Sequence, residues 1–359
     1  MIQNLPKCTK LHDIIDFRAL SCYTYDTDEP YSAYHKNPIM SSTKGMRKVK
    51  KVMKVIFIII LIIAVLAVLL WFGLKKIWNN IMTAQMAPDN YTSEVKTGGD
   101  IEAMYLAMGS YEVKCFTVDY PDDAEIKTIS IWYPAELETS DRKYPAVLFV
   151  NGTGVGASRY KPVFEHLASW GFIAIGNEDP STWEGKKADL TLSYLLNANE
   201  DENSIFYHRL DMDNIGVEGH SQGGVGVYNT INETEHKDIY KCAVSLSPTQ
   251  EEVAEQVLHI PYDPAKTAIP VLMLSGTEND VITPDNMQKS YAKVTSPKAM
   301  AVRKGAAHGD MLYSADGYVT AWFMWQLQGD TEAAKAFIGD NLEILSNSLY
   351  QDQKADLEG

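Results

Sequence analysis

The chain has 359 residues, of which 45% are hydrophobic, and its formal net charge is −15. This length suits one large α/β domain with extra segments, and the apolar fraction argues against a wholly disordered chain. Residues 1–76 hold 12 Lys/Arg and 5 Asp/Glu, whereas the remainder holds 20 and 42. Because this acidic remainder repels phosphate backbones, we expect no nucleic-acid partner. The oligomeric state is left open.

A long apolar stretch lies near the N-terminus. Residues 55–74 read VIFIIILIIAVLAVLLWFGL, without a charge, and have the length that a bilayer-spanning helix needs. Apolar side chains on every face argue against a buried helix of a soluble domain. Six Lys/Arg lie within residues 44–54, and only Lys75 and Lys76 follow closely. The positive-inside rule therefore places the N-terminus in the cytoplasm and the rest of the chain outside the cell membrane.

Two alternatives concern this N-terminal region. A signal peptide would be cleaved, but the apolar run is long for one, and residues 83–87 (TAQMA) form a poor small-x-small site. We therefore expect an uncleaved, single-pass anchor. Met46 opens MRKVKKVMK, a typical positively charged signal region, so translation from Met46 is the second alternative.

The chain is expected to have five parts: a cytoplasmic segment (1–54), a membrane helix (55–74), a linker (75–100), a folded domain (101–350) and a tail (351–359). Its four cysteines are Cys8, Cys22, Cys115 and Cys242, and their spacing fits no metal site. The last two fall in predicted strands, so we expect buried free thiols. The absence of a disulfide framework is compatible with a bacterial cell surface.

Within the folded domain, predicted strands and helices alternate. An antiparallel pair of strands comes first, at 111–120 and 126–133. Continuous apolar strands, typical of a buried parallel sheet, follow at 146–150, 172–175, from Ile215, at 242–246, 271–274 and, last, 299–302. Helices are predicted at 160–170, 188–197, after Ser221 to about Asn232, at 285–293 and 318–328. This order predicts an α/β three-layer sandwich whose mostly parallel sheet begins antiparallel.

The sequence around Ser221 is typical of a nucleophile in a sharp turn. A short apolar run leads into GHSQG at 219–223, and small residues follow. In this Gly-x-Ser-x-Gly pattern a strand ends, the chain turns at the serine and a helix begins. Ser221 would then lie at a helix N-terminus, where free N–H groups and the helix dipole stabilise an oxyanion. A chance Gly/Ser motif is the alternative.

A serine nucleophile needs a base to take its proton. His308 lies in GAAHGD (305–310), directly after the last predicted strand, where a catalytic group should emerge from such a sheet. His236 follows charged residues, as a surface histidine would, and His259 lies between two apolar residues, where a packed histidine is the simpler interpretation. His308 is therefore the predicted base.

The base needs an orienting carboxylate, and the intermediate needs two N–H donors. After strand 271–274 the sequence offers Asp280, our predicted acid, with Glu278 as the alternative. The predicted donors are the N–H of Gln222 and that of Thr153, in the loop NGTGVG at 151–156. A phosphate-binding loop is the competing interpretation of that loop, but neither the Walker nor the dinucleotide spacing fits. This chemistry requires no metal and no organic cofactor.

With these residues in place, residues 111–329 resemble the cutinase-like polyester hydrolases and their dienelactone-hydrolase and platelet-activating-factor-acetylhydrolase relatives, all in the α/β-hydrolase superfamily. The matching stretches are ASWGFIAI (168–175), GHSQGG (219–224), END (278–280) with Pro284, GAAH (305–308) and TAWF (320–323) before GDT (329–331). The resemblance implies the α/β-hydrolase fold, with Ser221 as nucleophile, His308 as base and Asp280 as acid.

Departures from that family limit the expected substrate. Thr153 stands where an aromatic residue is usual, Gln222 where Met is common, and SPTQ (247–250) where a tryptophan is expected; the C-terminal cysteine pair is missing. We therefore expect a membrane-anchored, extracytoplasmic serine carboxylesterase acting on a small-molecule or lipid-like ester, with polyester cleavage accidental at most. The alternatives are an acyltransferase or peptidase on the same triad, and a non-catalytic surface binding protein.

Overall fold

The computed structural model describes residues 43–357, without the side chains of residues 43–45, 81 and 82. Met1, Cys8, Cys22 and most of the predicted cytoplasmic segment therefore lie outside the described residues. The chain divides into two units after Lys75.

The first element is one long helix, α1 (Thr43–Thr83), which contains the predicted membrane span. Its most apolar 18-residue window has a mean hydropathy of 3.5, and none of that window is buried in the protein. Within residues 43–357, α1 is the one helix long and apolar enough to cross a membrane. A helix satisfies its own backbone hydrogen bonds, so such an uncovered apolar helix is suited to lipid.

The second unit is built on a nine-stranded sheet. Its strands are β1 (Val113–Asp119), β2 (Thr128–Pro134), β3 (Tyr144–Val150), β4 (Ile173–Asn177), β5 (Leu210–His220), β6 (Tyr240–Leu246), β7 (Val271–Glu278), β8 (Lys298–Ala307) and β9 (Tyr350–Asp356). The spatial order is β1-β2-β4-β3-β5-β6-β7-β8-β9. Strands β3 to β8 run parallel, while β1, β2 and β9 pair antiparallel. The predicted mostly parallel sheet with an antiparallel start is confirmed.

Helices cover both faces of this sheet. They are α2 (Tyr91–Glu94), α3 (Asp100–Leu106), α4 (Lys161–Ser169), α5 (Lys186–Glu200), α6 (Gln222–Glu233), α7 (Glu251–Gln256), α8 (Pro284–Lys293), α9 (Met311–Ser314), α10 (Asp316–Gln328), α11 (Thr331–Ala334) and α12 (Glu343–Ser346). Side chains of α3, α4 and α10 pack on one face, and those of α5, α6 and α8 on the other. Along β3, Val147 and Phe149 join the first layer, whereas Leu148 and Val150 join the second. Burial on both faces explains the continuous apolar run of this strand, and the three layers form the α/β-hydrolase fold.

The C-terminal end corrects two expectations. Residues 351–359 were expected to be a tail and 299–302 the last strand, but β9 pairs antiparallel with β8 and closes the sheet. The strand reads YQDQKAD, and five of its seven residues are half-buried. An edge strand of this kind needs no continuous apolar run, so its sequence carries no strong strand signal.

The expected linker and one expected thiol are also corrected. Within residues 75–100, Ala87 and Tyr91 are buried in the core, so the folded domain begins before residue 101. Cys115 lies on β1, at one edge of the sheet, and is exposed, whereas Cys242 is buried as expected; both are free.

Candidate active site

Ser221 lies in a tight turn between β5 and α6. Its backbone has φ 64° and ψ −125°, a conformation that non-glycine residues rarely adopt, and its N–H donates to the Leu246 carbonyl (2.9 Å). A Cβ on Gly219 would lie 2.3 Å from the Gly223 carbonyl oxygen, and one on Gly223 would lie 2.0 Å from that of Val150. Only glycine fits where strand and helix approach so closely. The local structure is thus strand, strained turn, helix, as the motif predicts.

His308 follows β8 directly and lies between two of the other predicted residues. Its Nε2 is 2.9 Å from Ser221 Oγ, and its Nδ1 is 3.0 Å from Asp280 Oδ1. A carboxylate only accepts, so Nδ1 carries the hydrogen and donates it, which leaves Nε2 free to accept from the serine hydroxyl. The three predicted residues are brought together in the tautomer that a general base requires.

Asp280 is held by several donors besides His308. Its Oδ2 accepts from Ser247 Oγ (2.6 Å) and from the Gly276 N–H (2.7 Å), and its Oδ1 accepts from the Val281 N–H (2.7 Å). Burial by itself would raise the pKa of Asp280, but hydrogen bonds from His308, Ser247 and Gly276 outweigh it and lower the pKa below its ordinary value. The carboxylate is therefore charged at neutral pH.

The alternative acid and bases lie elsewhere. Glu278 is exposed and accepts a long hydrogen bond from the Thr277 hydroxyl (3.4 Å). His236 pairs with Asp189 (Nδ1 to Oδ2, 3.1 Å). His259 is exposed rather than packed, so the expectation of a packed histidine there was wrong.

His220, next to the serine, was not singled out from the sequence. Its side chain is buried, and its Nε2–H donates to the backbone carbonyl of His308 (2.8 Å). The two imidazole rings lie 4.6 Å apart, centroid to centroid. Burial, and then the neighbouring His308, lower the pKa of His220 to about 4, so it is neutral at physiological pH. Its position inside the GHSQG motif was the one available signal.

The loop after β3 is fixed by buried side chains. The Asn151 amide donates to the carbonyls of Asn177 (2.7 Å) and Asp179 (2.9 Å). The Gly152 N–H donates to the buried Tyr160 hydroxyl (3.0 Å). Both ends of the dipeptide before Thr153 are therefore held in place.

That loop passes beside the serine. A Cβ on Gly152 would lie 3.6 Å from the Cβ of Ser221, and Thr153 is the next residue along the loop. Among the described residues, the N–H groups of Thr153 and Gln222 have no hydrogen-bond acceptor. Both N–H groups remain available to a bound ligand.

Within residues 43–357, no three His, Cys, Asp or Glu side chains are grouped as a metal site requires.

The chain is similar in sequence to a known protein family and to two cutinases. The PET hydrolase-like (PETase) family model matches residues 92–352. Cutinase est2 of Thermobifida alba is 27% identical over 188 residues, 50% of this chain and 56% of that protein. Cutinase 2 of Thermobifida cellulosilytica is 29% identical over 161 residues, which are 43% of this chain and 53% of that protein. The chain spans little more than half the length of these curated relatives. The family match, however, covers well over half of this chain, and the chain therefore belongs to the PET hydrolase-like family.

Proposed function

We propose that this protein hydrolyses carboxylic esters, with Ser221 as nucleophile, His308 as general base and Asp280 as orienting acid. The observation that carries the proposal is the continuous hydrogen-bonded series from Ser221 Oγ through His308 to Asp280, at 2.9 and 3.0 Å. The strained turn at Ser221 and the membership of a family with cutinase relatives support it.

In the proposed reaction, Ser221 Oγ attacks the ester carbonyl carbon while His308 Nε2 takes the hydroxyl proton. The N–H groups of Gln222 and Thr153 bind the oxyanion of the tetrahedral intermediate. Its collapse releases the alcohol, which receives the proton from His308, and leaves an acyl-enzyme. Water, deprotonated by His308, then releases the acid.

We infer that the natural substrate is a small-molecule or lipid-like ester rather than a polyester. The segment after β6, Ser247 to Gln250, contains no aromatic side chain, and the Ser247 hydroxyl donates its hydrogen bond to Asp280. Thr153 likewise supplies no ring beside the serine. An aromatic polymer unit would therefore find little to stack on at these two positions.

We further propose that α1 anchors the enzyme in the cell membrane as a single-pass helix. Its N-terminal end would be cytoplasmic and the domain extracytoplasmic. The support is its apolar, uncovered surface together with the basic residues in its N-terminal part, before the apolar span.

The test is hydrolysis of p-nitrophenyl acetate, butyrate and palmitate by the full chain in detergent micelles. Ser221→Ala should lower kcat by at least about 10³-fold, because the residues of such a triad act as a unit. Ser348→Ala, an exposed serine far along the chain, is the matched control and should keep full activity. Equal rates for wild type and Ser221→Ala would refute the proposal.

The same assay separates the acyltransferase alternative. With a short alcohol added, an esterase releases mainly the free acid. The dependence of the rate on acyl-chain length then reports the size of the pocket. Predominant transfer of the acyl group to the alcohol would instead identify an acyltransferase.

A further inference from the structure

The segment directly after α1 is bound to the turn that follows the proposed oxyanion loop. We call residues 84–86 the stem. The Gln85 side chain donates from Nε2 to the Ser158 carbonyl (3.0 Å) and accepts at Oε1 from the Lys161 N–H (3.2 Å). One amide side chain thus spans both ends of the turn at 158–161.

The stem backbone adds two more bonds to the same turn. Arg159 Nε donates to the Ala84 carbonyl (2.8 Å), and the Met86 N–H donates to the Arg159 carbonyl (2.8 Å). Ala87, the next residue, is buried. Four hydrogen bonds from three consecutive residues make the stem part of the folded domain.

The turn held by the stem contains Tyr160, which contacts the proposed oxyanion loop. The Tyr160 hydroxyl accepts from the Gly152 N–H (3.0 Å), and its ring packs on Phe149 of β3 at 4.5 Å between centroids. Gly152 directly precedes Thr153. The position of the Thr153 N–H therefore depends on Tyr160, and that of Tyr160 on the turn.

Part of the stem and the residues after it also lie beside the loop that follows His308. Residues 85–89 line a groove of about 500 Å³ together with Gly309, Asp310 and Tyr313, which follow His308 within five residues. The stem is thus adjacent to the loop that follows His308, the proposed base. It is also hydrogen-bonded to the turn at 158–161, which follows the proposed oxyanion loop.

We propose that the stem is a positioning element of the active site and that Gln85 is its main positioning residue. By holding the turn at 158–161, Gln85 sets Tyr160 and, through Gly152, the Thr153 N–H that receives the oxyanion. This inference rests on the proposed ester hydrolysis. It also means that cleavage near residues 83–87 would remove part of the catalytic apparatus, and that a soluble enzyme should begin no later than Ala84.

The test is Gln85→Ala in the full chain in detergent micelles, assayed with p-nitrophenyl butyrate. Losing an oxyanion donor costs about 10² to 10³ in kcat, so displacing one should lower kcat about tenfold and leave KM within about twofold. A boronic acid, which forms a tetrahedral adduct with the serine, should bind about tenfold more weakly for the same reason. Gln256 is exposed, and its side chain makes no hydrogen bond within residues 43–357, so Gln256→Ala should match wild type.

The outcomes separate this inference from the proposed function. An inactive wild type, or an active Ser221→Ala, would overturn the function itself. If Ser221→Ala is inactive and Gln85→Ala equals wild type in kcat and in boronic-acid affinity, the stem inference alone is wrong. The stem inference is also wrong if Gln85→Ala shows a smaller burst amplitude, and so fewer active sites, at an unchanged kcat per site. That result would indicate loss of fold rather than loss of positioning.

Discussion

At the residue scale, four neighbouring strands each deliver one side chain to the candidate site. Strands β5, β6, β7 and β8 lie side by side and are followed by Ser221, Ser247, Asp280 and His308. The carboxyl ends of parallel strands meet at one edge of the sheet, so chain order becomes spatial order there. Ser247 supports the acid rather than the reaction directly, since its hydroxyl donates to Asp280.

Ser247→Ala should weaken the proposed enzyme most at acidic pH. Losing a donor raises the pKa of Asp280 toward its ordinary value. Asp280 is needed in its charged form, which is lost as the pH falls through this pKa, so a raised pKa moves the loss of activity to higher pH. We expect kcat/KM to fall at least about tenfold near neutrality, because a hydrogen bond to a charged group is worth about 1.5–3 kcal/mol, and to fall further at lower pH. A pH profile of kcat/KM identical to that of wild type would contradict this.

His220 should act by positioning His308 rather than by exchanging protons. Replacing it with Leu leaves the His308 carbonyl without its donor, and we expect kcat/KM to fall about tenfold, the cost of an unpaired, partly buried acceptor. Gln can still donate from its amide, so His220→Gln should retain activity within about threefold. Because the pKa of His220 is about 4, His220→Gln should leave the pH profile unchanged above about pH 5. A changed profile in that range would show that His220 titrates in the reaction.

At the element scale, a buried ion pair ties α4 to α10. His166 Nδ1 lies 2.6 Å from Asp316 Oδ2, and His166 Nε2 lies 3.0 Å from the Ala107 carbonyl. Both partners accept, so both ring nitrogens donate and the ring is an imidazolium. Burial by itself would lower the pKa of His166, but Asp316 and the carbonyl bonds outweigh it and raise the pKa. Tyr91 of α2 also donates to Asp316, at 2.5 Å.

This pair should make stability depend on pH. The pKa of His166 in the folded protein is raised above its unfolded value of about 6.5. Its contribution to the free energy of unfolding is therefore complete below about pH 6.5 and is lost as the pH rises through the folded pKa. In His166→Gln this loss should be absent. Thermal unfolding of both proteins from about pH 6 to 9 measures this loss of stability. Burial, and then the charge of Asp316, also raise the pKa of the buried Glu218, but Glu218 is present in both proteins. Equal pH dependence in the two proteins would contradict the assignment.

The sequence predicted the parts of this fold that bury apolar runs. Every parallel strand was found this way, because burial on both faces demands continuous apolar residues. Strand β9 and the residues around Ala87 and Tyr91 were missed, since an edge strand tolerates polar residues and isolated buried side chains show no period. Ser221, Asp280 and His308 were predictable from chain order, and their catalytic roles stay a prediction. His220 could not be assigned from sequence, because its partner is the backbone carbonyl of His308, 88 residues further along the chain.

At the scale of the whole molecule, charge and hydropathy are segregated along the chain. Basic residues precede the apolar span and an acidic domain follows it. Basic residues are retained on the cytoplasmic side during insertion, so this asymmetry favours one orientation. The native cysteines can report it, since Cys8 and Cys22 precede the span and Cys115 and Cys242 follow it.

We expect a membrane-impermeant maleimide to label Cys115 in intact spheroplasts that express the full chain. Cys115 is exposed whereas Cys242 is buried, so one label per chain should come from the domain. Although Cys115 is exposed, partial burial of its sulfur raises the pKa of the thiol, so labelling needs mildly alkaline buffer. Cys115→Ser should abolish this label. Labelling of Cys8 and Cys22 in place of Cys115 would show the opposite orientation.

Permeabilised spheroplasts extend this experiment to the start of the chain. If translation begins at Met1, Cys8 and Cys22 become reactive once the reagent enters, and the Cys115→Ser variant gains up to two labels. If it begins at Met46, the chain contains neither cysteine and permeabilisation adds nothing. A chain cleaved near residues 83–87 would give the same unlabelled result but would leave the membrane fraction, because α1 would no longer be attached. Label number and membrane retention together therefore distinguish an uncleaved anchor, a later start and a removed signal peptide, and we expect the uncleaved anchor.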